Sequence, residues 1–198
     1  MNRQTKRGIL SMKSLRTLRI IALATLLLVA GYALLGPFAV SASAQTPPIV
    51  PDAIAVPDGA TLLFSSHAAG MQTYECHNGL WAFRAPKATL FDPQTEHLTG
   101  IHYGGIDRGY TAGPWWESLL DGSRIRGGNA KSAPSPTPAS IPLLRLEVLE
   151  RYGTGVFSPV SYIQRLNTEG GVGPTGTCGA GAKRLVPYTA DYYFYAAP

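Results

Sequence analysis

One stretch of this chain leaves little freedom in what it can become. Residues 71–86 read MQTYECH, then Asn78-Gly79, then LWAFRAP. Asn-Gly between two alternating runs is the strongest short-range hairpin signal, because a type I′ turn needs positive φ at both central residues. That turn sets the register. His77 faces Leu80, Cys76 faces Trp81, Glu75 faces Ala82 and Tyr74 faces Phe83. Side chains alternate along a strand, so Tyr74, Cys76, Trp81 and Phe83 share one face, and Thr73, Glu75, His77 and Arg84 the other. Cys76 is thereby expected on an aromatic face, a place for a structural disulfide rather than a reactive thiol.

The chain continues in the same idiom. Thr61–Ser65 reads as a first strand after the proline-rich lead-in QTPPIVPDAIAVPDG. His97–Pro114 reads as a short strand and a long glycine-rich loop. A second hairpin is expected about Asp121-Gly122, with Leu119 opposite Arg124, Ser118 opposite Ile125 and Glu117 opposite Arg126. It places Trp116, Leu120 and Ile125 on one face and Trp115, Glu117, Arg124 and Arg126 on the other. Lys131–Ser140 is a Pro/Ser/Ala surface loop. In Ile141–Arg151 the period of two favours a strand over a helix, with Leu144, Leu146 and Val148 on one side. Val160–Tyr195 supplies two aromatic, β-prone runs around a glycine-rich loop that holds Cys178, the second of two cysteines. Short, evenly spaced strands with Gly/Pro turns predict an all-β fold, a single antiparallel β-sandwich or barrel with long loops and one disulfide.

The N-terminus belongs to a different argument. Residues 1–19 carry six basic residues and no acid, Ile20–Leu35 is almost unbroken apolar, and Ala42-Ser43-Ala44 precedes Gln45. This is the pattern of a secretory signal peptide, residues 1–44, with cleavage after Ala44; an uncleaved anchor is the competing reading. Met12 is an alternative start to Met1. The expected organisation is then a lead-in at 45–60 and one β-rich domain at 61–198, secreted or periplasmic, with no membrane span left after cleavage. Six of the 17 basic residues precede Gln45, leaving 11 against 12 acidic ones. The high isoelectric point therefore comes from the leader and argues for neither nucleic acid nor anionic lipid. Export favours a Cys76–Cys178 disulfide, which would close a loop of about 100 residues.

Chemistry-bearing patterns are sparse. The histidines at 67, 77, 97 and 102 lack metal-site spacing, and there is no Cys-x-x-Cys. On one strand His97 and His102 would lie on opposite faces. A site assembled from His102, Glu117 and Asp121 is one reading; isolated hydrogen-bonded side chains are the other, which the spacing favours. Glu117 beside tryptophan suits a general acid or base of carbohydrate chemistry, but a cross-strand pair with Arg126 explains it more simply. Asp121 is read as the first residue of its turn. No Gly-x-Ser-x-Gly, phosphate-binding loop or dinucleotide motif occurs, so no cofactor and no metal is expected. Trp115, Tyr193 and Tyr195 are the candidate ligand contacts. If Tyr188, Tyr192 and Phe194 point inward, Tyr193 and Tyr195 point outward, as exposed rings for a sugar or partner or as one face of a doubly buried strand.

Tyr-x-Cys at 74–76, Gly-x-His-Tyr at 100–103, Gly-Pro-x-Trp at 113–116, Asp-Gly-Ser at 121–123 and Ile-Pro at 141–142 occur in that order. Tyr-Ile-Gln-Arg-Leu-Asn-Thr-x-Gly-Gly at 162–171, Cys178 and Val-Pro-Tyr-Thr-Ala-Asp-Tyr-x-Phe at 186–194 follow. Over about 61–195 the chain resembles the secreted proteins of domain-of-unknown-function family 3455. The resemblance implies export and a β-rich domain, and no activity. The expected function is a non-enzymatic binding or envelope-associated protein with an aromatic-lined surface for a small molecule, glycan or envelope component. The alternative is a secreted hydrolase acting on a sugar or ester through Glu117 or His102.

Overall fold

A computed structural model describes residues 46–198; the leader, its cleavage point and the choice of start lie outside the described residues. Eight antiparallel strands follow one another around a closed barrel: β1 (Thr61–His77), β2 (Leu80–Phe91), β3 (Leu98–Gly104), β4 (Pro114–Ser118), β5 (Arg124–Ala133), β6 (Leu143–Tyr152), β7 (Tyr162–Gly170) and β8 (Lys183–Ala196). The all-β expectation holds, and the choice between sandwich and barrel is decided for the barrel. Closure comes from β1 and β8, which pair from Thr61–Ala196 to Glu75–Lys183. No strand is left with an open edge. Among the described residues no helix is long and apolar enough to cross a membrane.

The first hairpin has the expected register, from Tyr74–Phe83 to His77–Leu80. Asn78 (φ 50°) and Gly79 (φ 80°) supply its turn. The second hairpin is corrected by two residues: Glu117 faces Arg124, Trp116 faces Ile125 and Trp115 faces Arg126. A shift of two preserves the faces, so Trp116 and Ile125 still point inward. Its cause is side-chain chemistry at the turn. The Ser118 Oγ accepts from the Leu120 and Asp121 amides, and the Asp121 carboxylate accepts from the Ser123 amide, the Ser123 hydroxyl and the Val156 amide. Asp121 thus organises a wider loop instead of opening a two-residue turn, and these donors pull its carboxyl down to about 2. Residues 141–151 are strand as expected, whereas the Pro/Ser/Ala loop starts later because β5 runs on to Ala133.

The barrel is filled unevenly along its axis. At the end where β1 begins, Phe64, Phe157 and Phe194 stack at centroid separations of 4.7–5.7 Å, with Leu90, Ile125, Val160 and Ile163 around them. Further along β1, small residues face the axis. A methyl group on Gly70 would run into the Lys87 carbonyl and Ala88, so here the strands approach too closely for any side chain. Outside, the lead-in acts as a clasp across β5–β8. Ile54, fully buried, packs on Ala133, Leu143 and Leu166, while Gln164 donates to the Ile54 carbonyl and Arg145 to the Ala55 carbonyl.

The opposite end of the barrel carries the Cys76–Cys178 disulfide, 102 residues apart in sequence. Both cysteines are half-buried, so the bond sits at the barrel rim and is less buried than a place on an aromatic face beside Trp81 suggests. It fastens the β7–β8 loop to the first hairpin, helped by the Cys178 amide on the Gly79 carbonyl and the Cys76 amide on the Ala182 carbonyl. Tyr74 donates to the Gly171 carbonyl (2.8 Å) beneath the same loop. The chain-entropy model assigns a closure of this length roughly 4–5 kcal/mol. Replacing both cysteines by serine should lower the unfolding free energy in urea by about 2–5 kcal/mol, with a larger m-value as the denatured chain expands. Unreduced wild-type protein should weigh about 2 Da less than its dithiol form, and a full-mass, thiol-reactive protein would contradict the link.

Candidate functional site

Eight strands enclose an interior just wide enough for side chains or one small ligand. The crowded end spends that space on phenylalanines; the disulfide end does not. A cavity of about 150 Å³ remains there. Phe83, Pro86, Pro114, Leu144 and Leu146 form its apolar wall, and Gln72, His102, Trp116, Arg165 and Tyr192 bring polar atoms to it. Arg84 and Gly113 also line it. The β7–β8 loop covers the β1 side, where Gly173 packs on the Tyr74 ring.

Local register explains each placement. His102 faces Trp116 across β3–β4, and the two rings stack at 4.2 Å with 17° between their planes. Tyr192 closes edge-on against both, at 5.1 Å and 5.4 Å. The His102 Nδ1 donates to the Trp115 carbonyl at 2.7 Å. That bond assigns the ring proton to Nδ1 in the neutral imidazole. Burial drives the ring's pKa down to about 3; the Trp115 carbonyl pulls upward, and the Arg165 guanidinium adds to the lowering. Arg165 reaches the lumen from β7, donating from Nε and Nη2 to the Pro142 carbonyl at 3.2 Å and 2.8 Å. Beside it, burial raises the Tyr192 phenol while the guanidinium opposes the rise.

Among the described residues five buried side-chain donors have no protein acceptor: Gln72 Nε2, Trp116 Nε1, Arg124 Nε, Arg145 Nε and the Tyr188 hydroxyl. An orphaned buried donor costs about 1–3 kcal/mol, so its persistence calls for an explanation. Two of the five, those of Gln72 and Trp116, belong to residues that line the cavity. Among the described residues, no acidic side chain lines it, and Arg165 pairs with no carboxylate.

The sequence candidates are dispersed. Glu117 neighbours Trp116 on β4 and therefore points outward. It accepts from the Tyr103 hydroxyl at 2.7 Å and from Arg108 at 3.4 Å. The expected Glu117–Arg126 pair is absent because the register is shifted; Arg126 bonds Glu150 at 2.7 Å instead. His102 and Glu117 thus lie on opposite sides of the barrel wall, with Asp121 in a remote turn. His97 precedes β3. Trp115 is fully buried under the β3–β4 loop, its Nε1 donating to the Thr111 carbonyl, with Tyr110 and Tyr152 against it. Tyr195 is buried too, its hydroxyl on Gln164 and its phenol raised by burial to about 12. Neither ring offers an open face, which decides for the doubly buried strand at Tyr195 and corrects the expectation of Trp115 as a ligand contact. Tyr193 is half-buried beside the lead-in. Asp191 bonds between strands, accepting from Asn167 and meeting His67. No group of three His, Cys, Asp or Glu among the described residues is placed to hold a metal ion.

Gln72 and Arg165 are not site candidates in the sequence, and Trp116 figures there only as sharing a hairpin face with Leu120 and Ile125. One signal was available for Arg165: it shares the inward register of β7 with Ile163, where a charge is out of place.

Fold and cavity together define a closed eight-stranded barrel with a small polar-lined lumen pocket. The family described as "Protein of unknown function (DUF3455)" matches residues 57–196, and the chain belongs to that family. No curated protein and no solved structure matches it.

The neutral His102 makes a pH prediction. The unfolded chain takes up a proton near pH 6.5 that the folded ring refuses until about pH 3. Stability should therefore fall as pH drops from about 6.5 toward 3, by up to about 1.4 kcal/mol per pH unit from this group. Denaturation curves between pH 6.5 and 4.5 should show that slope in wild type and a shallower one in His102→Asn. A wild-type profile flat across this range would contradict a buried neutral imidazole.

Proposed function

We propose that the protein is an exported, non-enzymatic binding protein that takes a small molecule into the disulfide end of its barrel. The observation that carries this reading is the pairing of an internal cavity with buried, unpartnered donors. A core built only for stability has no use for Gln72 Nε2 or Trp116 Nε1 without acceptors. A concave, mostly apolar site with a few convergent polar groups is the usual form of a small-molecule pocket. A cavity near 150 Å³ accepts a molecule of about benzene size, which favours one small ring over a glycan chain. Export is supported by the disulfide, since such bonds persist in oxidising compartments.

The hydrolase reading is less well supported. Glu117 and His102 are separated by the barrel wall, and an imidazole with its pKa near 3 is a weak base for chemistry at neutral pH.

Single-ring compounds should raise the melting temperature. At about 100 times Kd the gain is about 2.7 kcal/mol, or roughly 5–10 °C for a domain of this size. Leu144→Trp, which grows a half-buried side chain into the cavity, should fold and lose the response. Binding undiminished in that variant, or no response from any compound of this size, would refute a lumen site.

A further inference from the structure

We infer that the lumen ligand is a small planar carboxylate, held by Arg165 and laid against the stacked His102–Trp116 pair. The inference rests on the lumen-binding reading above and adds the ligand's chemical class.

The charge balance comes first. Half-buried Arg165 brings a positive charge to a cavity without an acidic lining residue, and its hydrogen bonds, at 3.2 Å and 2.8 Å, both go to a neutral carbonyl, that of Pro142. Arg84, the other cation at the cavity, is already engaged, 3.6 Å from Glu75 and 3.4 Å from Asp107. Arg165 is therefore the cation at the cavity without a carboxylate partner among the described residues, and a monoanion matches it.

Hydrogen-bond polarity gives the same sign. Gln72 Nε2 and Trp116 Nε1 are donors, both buried and both unpartnered. Trp116 Nε1 has no acceptor capacity at all. The His102 tautomer leaves its Nε2 as an acceptor, but the buried unpartnered atoms of the lining residues are both donors and favour an acceptor group, and a carboxylate offers about four lone-pair sites in a plane that fits the guanidinium fork. Phosphate is a poorer fit. Its second charge would find no second free cation, and its tetrahedral bulk would meet Leu144, Leu146 and Pro114.

Shape supplies the rest. His102 and Trp116 lie within 17° of parallel, so they present flat surfaces rather than an irregular wall, and aromatic faces favour offset stacking of another ring. The apolar remainder of the cavity has room for one ring and not two.

Titration calorimetry of the full domain with benzoate, benzamide and benzylamine tests the assignment. Benzoate should bind about tenfold or more tightly than benzamide, and benzylamine should not bind. Arg165→Gln should bring benzoate down to the benzamide level while keeping benzamide binding. Because Arg165 also supports the Pro142 carbonyl, a second variant guards against misfolding. Gln72→Met should weaken benzoate binding, yet leave the ligand-free melting temperature unchanged or raised, since it removes an orphaned donor. A role for Gln72 in stability alone would give the reverse. Equal affinity for benzoate and benzamide in wild type, a preference that survives Arg165→Gln, or displacement of benzoate by equimolar inorganic phosphate would overturn the carboxylate assignment and leave lumen binding intact. If none of the ring compounds binds, both readings fall.

Discussion

The hydrogen-bonded seam between β1 and β8 is the constraint on which the rest of the molecule depends. Strands at opposite ends of the chain pair from Thr61–Ala196 to Glu75–Lys183, and that closure turns a meander into a tube of fixed girth. Once eight strands close, the interior has one size, and side chains must fill it or leave a hole. Across this seam Gly70 and Ala68 on β1 pair with Tyr188 and Ala190 on β8, while on the other side Gly70 lies too close to Lys87 and Ala88 of β2 to carry a side chain. The price in backbone entropy of so many non-local pairings is large, and the disulfide joining the far end of β1 to the β7–β8 loop offsets part of it.

The two ends of the tube divide the labour. Phe64, Phe157 and Phe194 plug one end. At the other, the covered loop, the Tyr74–Gly171 bond and the disulfide hold a roof over part of the opening without filling the space below. The polar atoms gather in that unfilled half. Such segregation leaves the plugged end to secure the fold, so the open end can carry unpartnered donors at a cost of about 1–3 kcal/mol each. Outside the barrel, aromatic residues serve a different purpose. Arg108 stacks over Tyr103, and Arg124 over Tyr110 and Tyr152; Tyr110 and Tyr152 lie against Trp115, which is covered rather than open to a ligand.

Much of the fold was legible because its cues are local. The Asn78-Gly79 turn dictated its own register, period-two alternation identified β6 against a competing helix, and two cysteines left one pairing. The site was far less legible. Glu117 and His102 looked like partners because both are ionisable and both flank aromatic residues, yet adjacency to Trp116 on one strand puts Glu117 outside. The register of the second hairpin was misjudged by two residues because Asp121 and Ser118 use their side chains to widen the turn, a choice that depends on Val156 arriving from elsewhere in the chain.

What the sequence by itself determined is the class of structure: alternating strands, hairpin turns, one disulfide and the inward or outward face of most residues. These follow from backbone conformations that individual residues favour and from a side-chain period of two. Only the tertiary structure decided that the sheet closes, that Trp115 and Tyr195 are covered, and that Gln72, His102, Trp116, Arg165 and Tyr192 meet around one cavity. Those residues come from five strands spread over 121 positions of sequence. Their convergence is a consequence of barrel closure and shear, and no local preference encodes it.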